Sequence, residues 1–361
     1  AQEENVDRGK IQTDIEALQG QIKSVVDSAQ FNGLNLVKDT EDVNFLSSLD
    51  RAGDGSVTAS DITVSRQDLT TSAGTFGTGT SLNANATASA ANVQDSGNSE
   101  NVTIGSDTDL SDDTLSVTVA GTTLSYATGD LSGDQDAGAT KIAGDINALG
   151  LEGISASATA AQIDITSTRA FEDVSLSVTG GPASTAASNP SIGERAETVT
   201  FSGSANVNDG DGYKVTIGSE SFEYIAGKNE TFDDVANGLK TAIDSAGPDG
   251  ISTQVTTNNS GQAVLKVDND GSGGSSQTFN AVGNAGGTAS GGLFGLDGID
   301  VTTQAGASAA LDNVEGLIQN SIDAAASFGS DQSRIETQKD FVSELTNSLE
   351  TGVGTLVDAN L

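Results

Sequence analysis

Residues 115–126, LSVTVAGTTLSY, and residues 213–224, YKVTIGSESFEY, align without a gap. Val117 matches Val215, Val119 matches Ile217, Leu124 matches Phe222 and Tyr126 matches Tyr224. Apolar and polar residues alternate in each copy, the period of a strand with one buried face. Ala120-Gly121 and Gly218-Ser219 interrupt the alternation, so each copy predicts a hairpin. A helical run follows: Ile142, Ile146 and Leu149 in the first copy, Val235, Leu239 and Ile243 in the second. Gly150 and Gly247 fall where a helix would need its C-cap. The stretches 153–155 and 250–252, both GIS, lead into a last strand with Ile163 and Ile165, or Leu265 and Val267. Each copy reads β-β-α-β-β, a small sheet covered by one helix. The repeat spans 100–180 and 197–285 and specifies one core twice.

Outside the repeat the pattern changes to a helical seam. Ile11, Ile15, Leu18, Ile22, Val25 and Ala29 are spaced by 4, 3, 4, 3 and 4 residues. Two further runs close the chain: Leu311, Val314, Ile318, Ile322 and Ala325, then Ile335, Val342, Leu345, Leu349 and Leu356. Such spacing marks helices packed along their length. The predicted fold is therefore multidomain, α and α+β. A helical coiled-coil rod is formed by both chain ends, with inserted β-rich outer domains built from the two ββαββ repeats. Residues 1–38 and 307–361 form the rod, 39–98 a β-hairpin and connector, 99–195 the first outer module and 196–306 the second. The rod interface is expected at Ile11, Ile15, Leu18, Ile22, Val25, Leu345, Leu349 and Leu356. Replacing a fully buried Leu18 with Ala would then cost about 2–5 kcal/mol.

Composition limits the chemistry. The 361 residues contain no Cys, His, Met or Trp. Disulfides, thiolate sites, His-ligated zinc and the usual serine and cysteine catalytic arrangements are excluded. Acid pairs such as Asp112/Asp113 and Asp233/Asp234 are expected by chance among 51 acids, so no enzyme activity and no cofactor is read from them. The net charge of −36 repels nucleic acid and anionic lipid. No run reaches the roughly 20 apolar residues of a membrane span. Asp268-Asn-Asp270-Gly271 resembles a calcium loop, yet with Gly271 as the loop glycine the first and twelfth positions are Lys266 and Gln277. The regular loop fails, and Asp268 and Asp270 stand as an irregular calcium site beside the reading of a plain turn. The Gly-rich run 271–274 lacks the Lys-Ser/Thr of a phosphate loop.

Residues 11–36, with the stretch AQFNGLNL at 29–36, resemble the end of a rod helix in bacterial flagellins. At the other end, Gly329 to Glu336, GSDQSRIE, and Gly354 to Asn360, GTLVDAN, resemble the break and the closing motif of the flagellin C-terminal rod. Asn360 stands where an acid is common. Gly144 to Ala148, GDINA, resembles the "IN" repeat of flagellins and hook proteins. The resemblance covers roughly 90 residues at the two ends. It implies a core fragment of a flagellar filament subunit, extracellular, with other flagellin subunits as partners. It also implies an export chaperone acting on a terminal segment absent from this sequence, and Ser and Thr able to carry surface glycan. The polymerising segments of that family have no counterpart here, which predicts a monomeric chain. A hook-associated or cap protein is the alternative reading. A second is a surface receptor or adhesin binding polysaccharide or calcium on the same scaffold.

Overall fold

The computed structural model describes residues 7–31, 33–105, 114–127, 129–131, 134–182, 185–203 and 207–358. Helix α1 (Arg8–Ser28) starts at Asp7, whose side chain accepts from the Lys10 N–H, and stops at Ala29. Strands β1 (Gln30–Phe31) and β2 (Leu34–Asn35) then pair around Gly33, whose φ of 82° is the left-handed turn that glycine permits. A longer hairpin follows, β3 (Val43–Arg51) and β4 (Val57–Val64), with a bulge between Leu46 and Ser48.

The chain next forms β5 (Ala86–Ala88), β6 (Asn92–Val93) and β7 (Asn98–Thr103). The first repeat supplies β8 (Leu115–Val119), β9 (Thr122–Tyr126), α2 (Gln135–Ala148), β10 (Ile154–Thr159), β11 (Gln162–Ser167) and β12 (Val174–Gly180). Two short strands, β13 (Ala186–Ala187) and β14 (Ser191–Ile192), lead into β15 (Glu197–Phe201). The second repeat supplies β16 (Gly212–Ile217), β17 (Glu220–Ile225), α3 (Phe232–Ala246), β18 (Ile251–Thr257), β19 (Ala263–Asn269) and β20 (Gln277–Asn284). Helix α4 (Gln304–Asp358) is the last described element.

Each module is a pair of four-stranded antiparallel sheets rather than one small sheet. Module 1 has the orders β10-β11-β7-β13 and β14-β12-β8-β9. Module 2 has β18-β19-β15-β5 and β17-β16-β20-β6. The orders correspond strand for strand, so the unit is larger than ββαββ. Strands β7 and β15, β12 and β20, and the short pairs β5–β6 and β13–β14 belong to it. Val117, Ile142, Ile146 and Ile163 are fully buried in one core, and Val215, Leu239, Ile243 and Leu265 in the other. Thr231 and Asp234 form a capping box at the start of α3, and Gly247 caps its end at φ 59°.

Module 1 is a continuous run, 98–192, inserted into module 2 between β6 and β15. β5–β6 precedes module 1 in sequence but completes both sheets of module 2. β13–β14 precedes module 2 and completes both sheets of module 1. Their bonding is equivalent: Ser89 N–H to Thr198 C=O (2.8 Å) matches Ser188 N–H to Asn101 C=O (2.9 Å). The Phe279 N–H reaches Ala91 C=O, and the Leu176 N–H reaches Pro190 C=O, both at 2.8 Å. Residues 86–88 and 92–93, read from sequence as connector, are thus structural strands.

The expected fold class is corrected at the ends. The described residues form mainly β-sheet domains, and the two ends do not make a coiled-coil rod. Leu18 is 57% exposed, Leu345 46% and Leu349 61%. Helix α1 turns a different stripe inward. Ile11, Ile15 and Val26 pack with Leu293, Leu296, Ile299 and the start of α4 at Ala307, Ala310 and Leu317. Gln12 bridges the loop at 299–301, donating to Ile299 C=O at 3.1 Å and accepting from the Val301 N–H at 2.9 Å. Gln19 donates to Leu296 C=O at 2.6 Å. That loop has backbone groups with no ladder partner, and burying them unpaired would be costly. The glutamines satisfy them, which sets the rotation of α1 and leaves Leu18 and Val25 outside.

Candidate functional site

Helix α4 has two halves with different surroundings. In its first half Ala307, Ala310, Leu317 and Ala324 are buried, together with Asn313. Small residues let α4 lie close to module 2, while Asn313 lies near Lys240 and Thr241 on α3 (3.4 and 3.5 Å). The apolar seam of sequence, Leu311, Val314, Ile318 and Ile322, faces out instead. Further on, the β3–β4 hairpin lies beside α4. Arg334 donates to Thr63 C=O at 3.2 Å and Gln338 to Ser47 C=O at 3.3 Å. The bulge re-phases β3, so Leu46 and Leu49 share one face with Val57. All three are exposed.

Every described side chain from Lys339 to Thr355 is exposed. Phe341, Val342, Leu345, Leu349 and Val353 nevertheless form an apolar ridge at helical spacing. An apolar ridge held in water is the mark of an interaction surface. Of the predicted rod residues, Ile11 and Ile15 are half-buried in the base cluster, and Ile22 is 39% exposed. Val25, Leu345 and Leu349 are exposed. The side chain of Leu356 lies outside the described residues. The structure brings together Ile11 and Ile15 but not Leu18 with Leu345 or Leu349.

One buried carboxyl escaped sequence reading. Glu230 borders a cavity of about 220 Å³ between module 2, residues 66–69 and α4 at Asn320, Asp323, Ala324 and Ser327. The Tyr224 O–H lies 2.9 and 3.0 Å from its two carboxylate oxygens. Burial raises the Glu230 carboxyl to about 7, against the lowering effect of the Gly227 N–H and the Tyr224 O–H. Asp234 and Asp209 add to the rise. Neighbouring cations are engaged elsewhere, Lys228 with Asp42 and Arg66 with Asp39. Asp234 is held by the helix cap, accepting from the Thr231 N–H and O–H at 2.7 and 2.8 Å. The group can hold or release a proton near neutrality at the contact between module 2 and α4. The signal for it in sequence was weak: a lone Glu two residues before a helix.

Of the two residues weighed for an irregular calcium site, Asp268 is engaged in an ion pair. Asp268 is buried, and Arg195 grips both its carboxylate oxygens at 2.7 Å. Asp270 lies in a turn, accepting from the Ser272 N–H at 2.7 Å. The guanidinium neutralises Asp268, and the Asp270 carboxylate bonds within its own turn.

No family model matches the chain. Flagellin A of Rhizobium meliloti is 45% identical over 53 residues, 15% of this chain and 13% of that protein. Flagellin D of the same organism is 38% identical over 69 residues, 18% of each chain. The chain therefore spans less than a fifth of the length of these curated relatives. Among solved structures, the D1-D2-D3 domains of the flagellar cap protein FliD from Escherichia coli align over 90% of this chain and 74% of that one, at 12% identity and a TM-score of 0.21. The sequence similarity is local and flagellin-like.

Proposed function

We propose that the chain is a structural subunit of a bacterial flagellar filament, located outside the cell. The observation that carries this reading is the exposed ridge of α4 in a chain with local sequence similarity to flagellins. A ridge of Phe341, Leu345, Leu349 and Val353 has about 25 cal/mol per Å² to gain by leaving water. In this reading other copies of the subunit supply the cover. Repeated contacts of that kind do not close on themselves, so they extend into a fibre. The modules, joined to the helical part through α3 and the start of α4, then form the outer surface. The strongly acidic composition keeps that surface hydrated. The subunit has no catalytic step of its own, in keeping with a chain that lacks His and Cys. Among the described residues no helix is long and apolar enough to cross a membrane.

The test is immunogold labelling of intact producing cells with antibodies raised to module 1. Label along the length of helical filaments is the expected result. Label confined to filament tips would favour a cap protein, and label on the cell envelope alone would overturn the flagellar reading.

A further inference from the structure

Helices α3 and α4 meet at a buried polar cluster that has no part in the filament reading. Lys240 of α3 lies buried in the contact between module 2 and α4. Its ammonium is 2.6 Å from Oδ2 of Asp244, one turn further along α3, and the two side chains are 8% and 6% exposed. The same ammonium reaches Oδ1 of Asn313 on α4 at 3.4 Å. Asn313 and Thr241 are buried too, and Oγ1 of Thr241 lies 3.5 Å from that amide oxygen. The other Asp244 oxygen accepts from the Thr253 O–H at 2.6 Å, which fixes the carboxylate. Apolar residues wall the cluster: Leu239 and Ile243 on α3, Ala310 and Leu317 on α4, all buried.

These groups are the parts of an acyl transfer. The amine is the nucleophile, and the Asn313 amide is the acyl donor held beside it. Two donors converge on Oδ1, which assigns it as the carbonyl oxygen and leaves Nδ2 as the leaving nitrogen. The carboxylate touches the amine and can carry its protons. The apolar walls keep out water, the competing nucleophile.

We propose that Lys240 and Asn313 join in an intramolecular isopeptide bond, a covalent staple between α3 and α4, with Asp244 as the proton carrier. One proton passes from the ammonium to Asp244. The freed lone pair on Nζ attacks Cγ of Asn313, and the C=O electron pair moves onto Oδ1, beside the Thr241 O–H. Asp244 gives its proton to Nδ2, the Cγ–Nδ2 bond breaks, and ammonia departs. A second proton from Nζ leaves with it, so an ammonium and a primary amide become a secondary amide and ammonium. No oxidant or cofactor enters. The sequence has no cysteine, so a staple in this chain cannot be a disulfide. The bond joins positions 73 residues apart and narrows the unfolded state as any cross-link does.

Mass spectrometry of the full chain, denatured after standing folded, reads the bond. The expected mass is about 17 Da below that of the sequence, the loss of one ammonia. Trypsin does not cut after an acylated lysine, so a branched peptide joining 229–266 to 267–334 is expected. The unmodified mass overturns the proposal. So does the same loss found in a linear peptide, as a cyclised Asn-Gly would give, or a loss of water that ties Lys240 to a carboxyl group. Lys240→Arg keeps the charge without the nucleophile and is expected to show neither the loss nor the branch. Asp244→Asn is expected to slow formation of the bond after refolding by about a hundredfold or more. An unchanged rate removes Asp244 from the step. Should Asp244→Asn not fold, Asp244→Glu displaces the carboxyl by one methylene. A slower rate is expected there too, and an unchanged one is again contrary.

Discussion

Gln19 donates its side-chain amide to the carbonyl of Leu296 at 2.6 Å, and this contact turns the neighbouring Leu18 into water. Replacing Gln19 with Ala leaves the Leu296 carbonyl only its long 3.5 Å bond from the Ile299 N–H and is expected to cost about 1–3 kcal/mol. Leu18→Ala is expected to stay within about 0.5 kcal/mol of the parent. Chemical denaturation of both variants checks the order. A larger loss for Leu18 than for Gln19 would restore the heptad account.

Glu230 makes stability depend on pH. Its carboxyl titrates at about 7 in the folded chain, above its ordinary value of 4.5, so the folded state holds the proton more tightly than the unfolded state. The resulting stabilisation is complete below about pH 4.5 and is lost as pH rises through 7. Its size is roughly 2–4 kcal/mol. Glu230→Gln, which stays neutral and keeps the shape, is expected to flatten the stability profile between pH 5 and 8. An unchanged slope in that variant would show that other groups carry it.

Gly238 reverses a common rule. An alanine in a helix interior usually stabilises relative to glycine by roughly 0.5–1 kcal/mol. Here a Cβ would overlap the Tyr224 ring. Gly238→Ala is expected to destabilise by about 1–3 kcal/mol through overpacking. The equivalent residue in module 1 is Lys141, whose ammonium lies 5.4 Å from the Tyr126 ring and pairs with Asp145 at 2.7 Å. Thermal unfolding of Gly238→Ala and Lys141→Ala, compared side by side, separates the two uses of one repeated tyrosine.

Ile192 lies just before module 2 in sequence yet is fully buried against β12 of module 1. Ile192→Ala is expected to cost about 2–5 kcal/mol. Hydrogen exchange should show lost protection first in β8 and β12. First losses in β16 and β20 would contradict the assignment of β14 to module 1.

The repeated hairpins and helices were legible because alternation and the 3.6-residue period were both present in duplicate. Val117 and Val215, or Ile146 and Ile243, needed only local pattern. The insertion of module 1 was not legible, since β5 and β6 are three and two residues long and their partners lie more than 100 residues away. The ion pair of Asp268 was not legible because its partner, Arg195, lies 73 residues earlier. The rod reading failed because an apolar seam states only that a face seeks cover. It does not state which surface supplies it. Gln12 and Gln19, polar residues satisfying a loop backbone, decided the rotation of α1, and no hydrophobic pattern records them.

The ridge of α4 is the centre of the functional account, and the absence of tryptophan from the sequence gives a direct reading of it. Leu349→Trp places a single indole reporter on that ridge. In the isolated chain its emission should match a solvent-exposed indole and be quenched freely by iodide. In filaments assembled from subunits carrying the same substitution, the emission is expected to shift to the blue and lose most of its iodide quenching. Filaments that form with the indole emission and quenching unchanged would contradict the assignment of this ridge as the contact between copies.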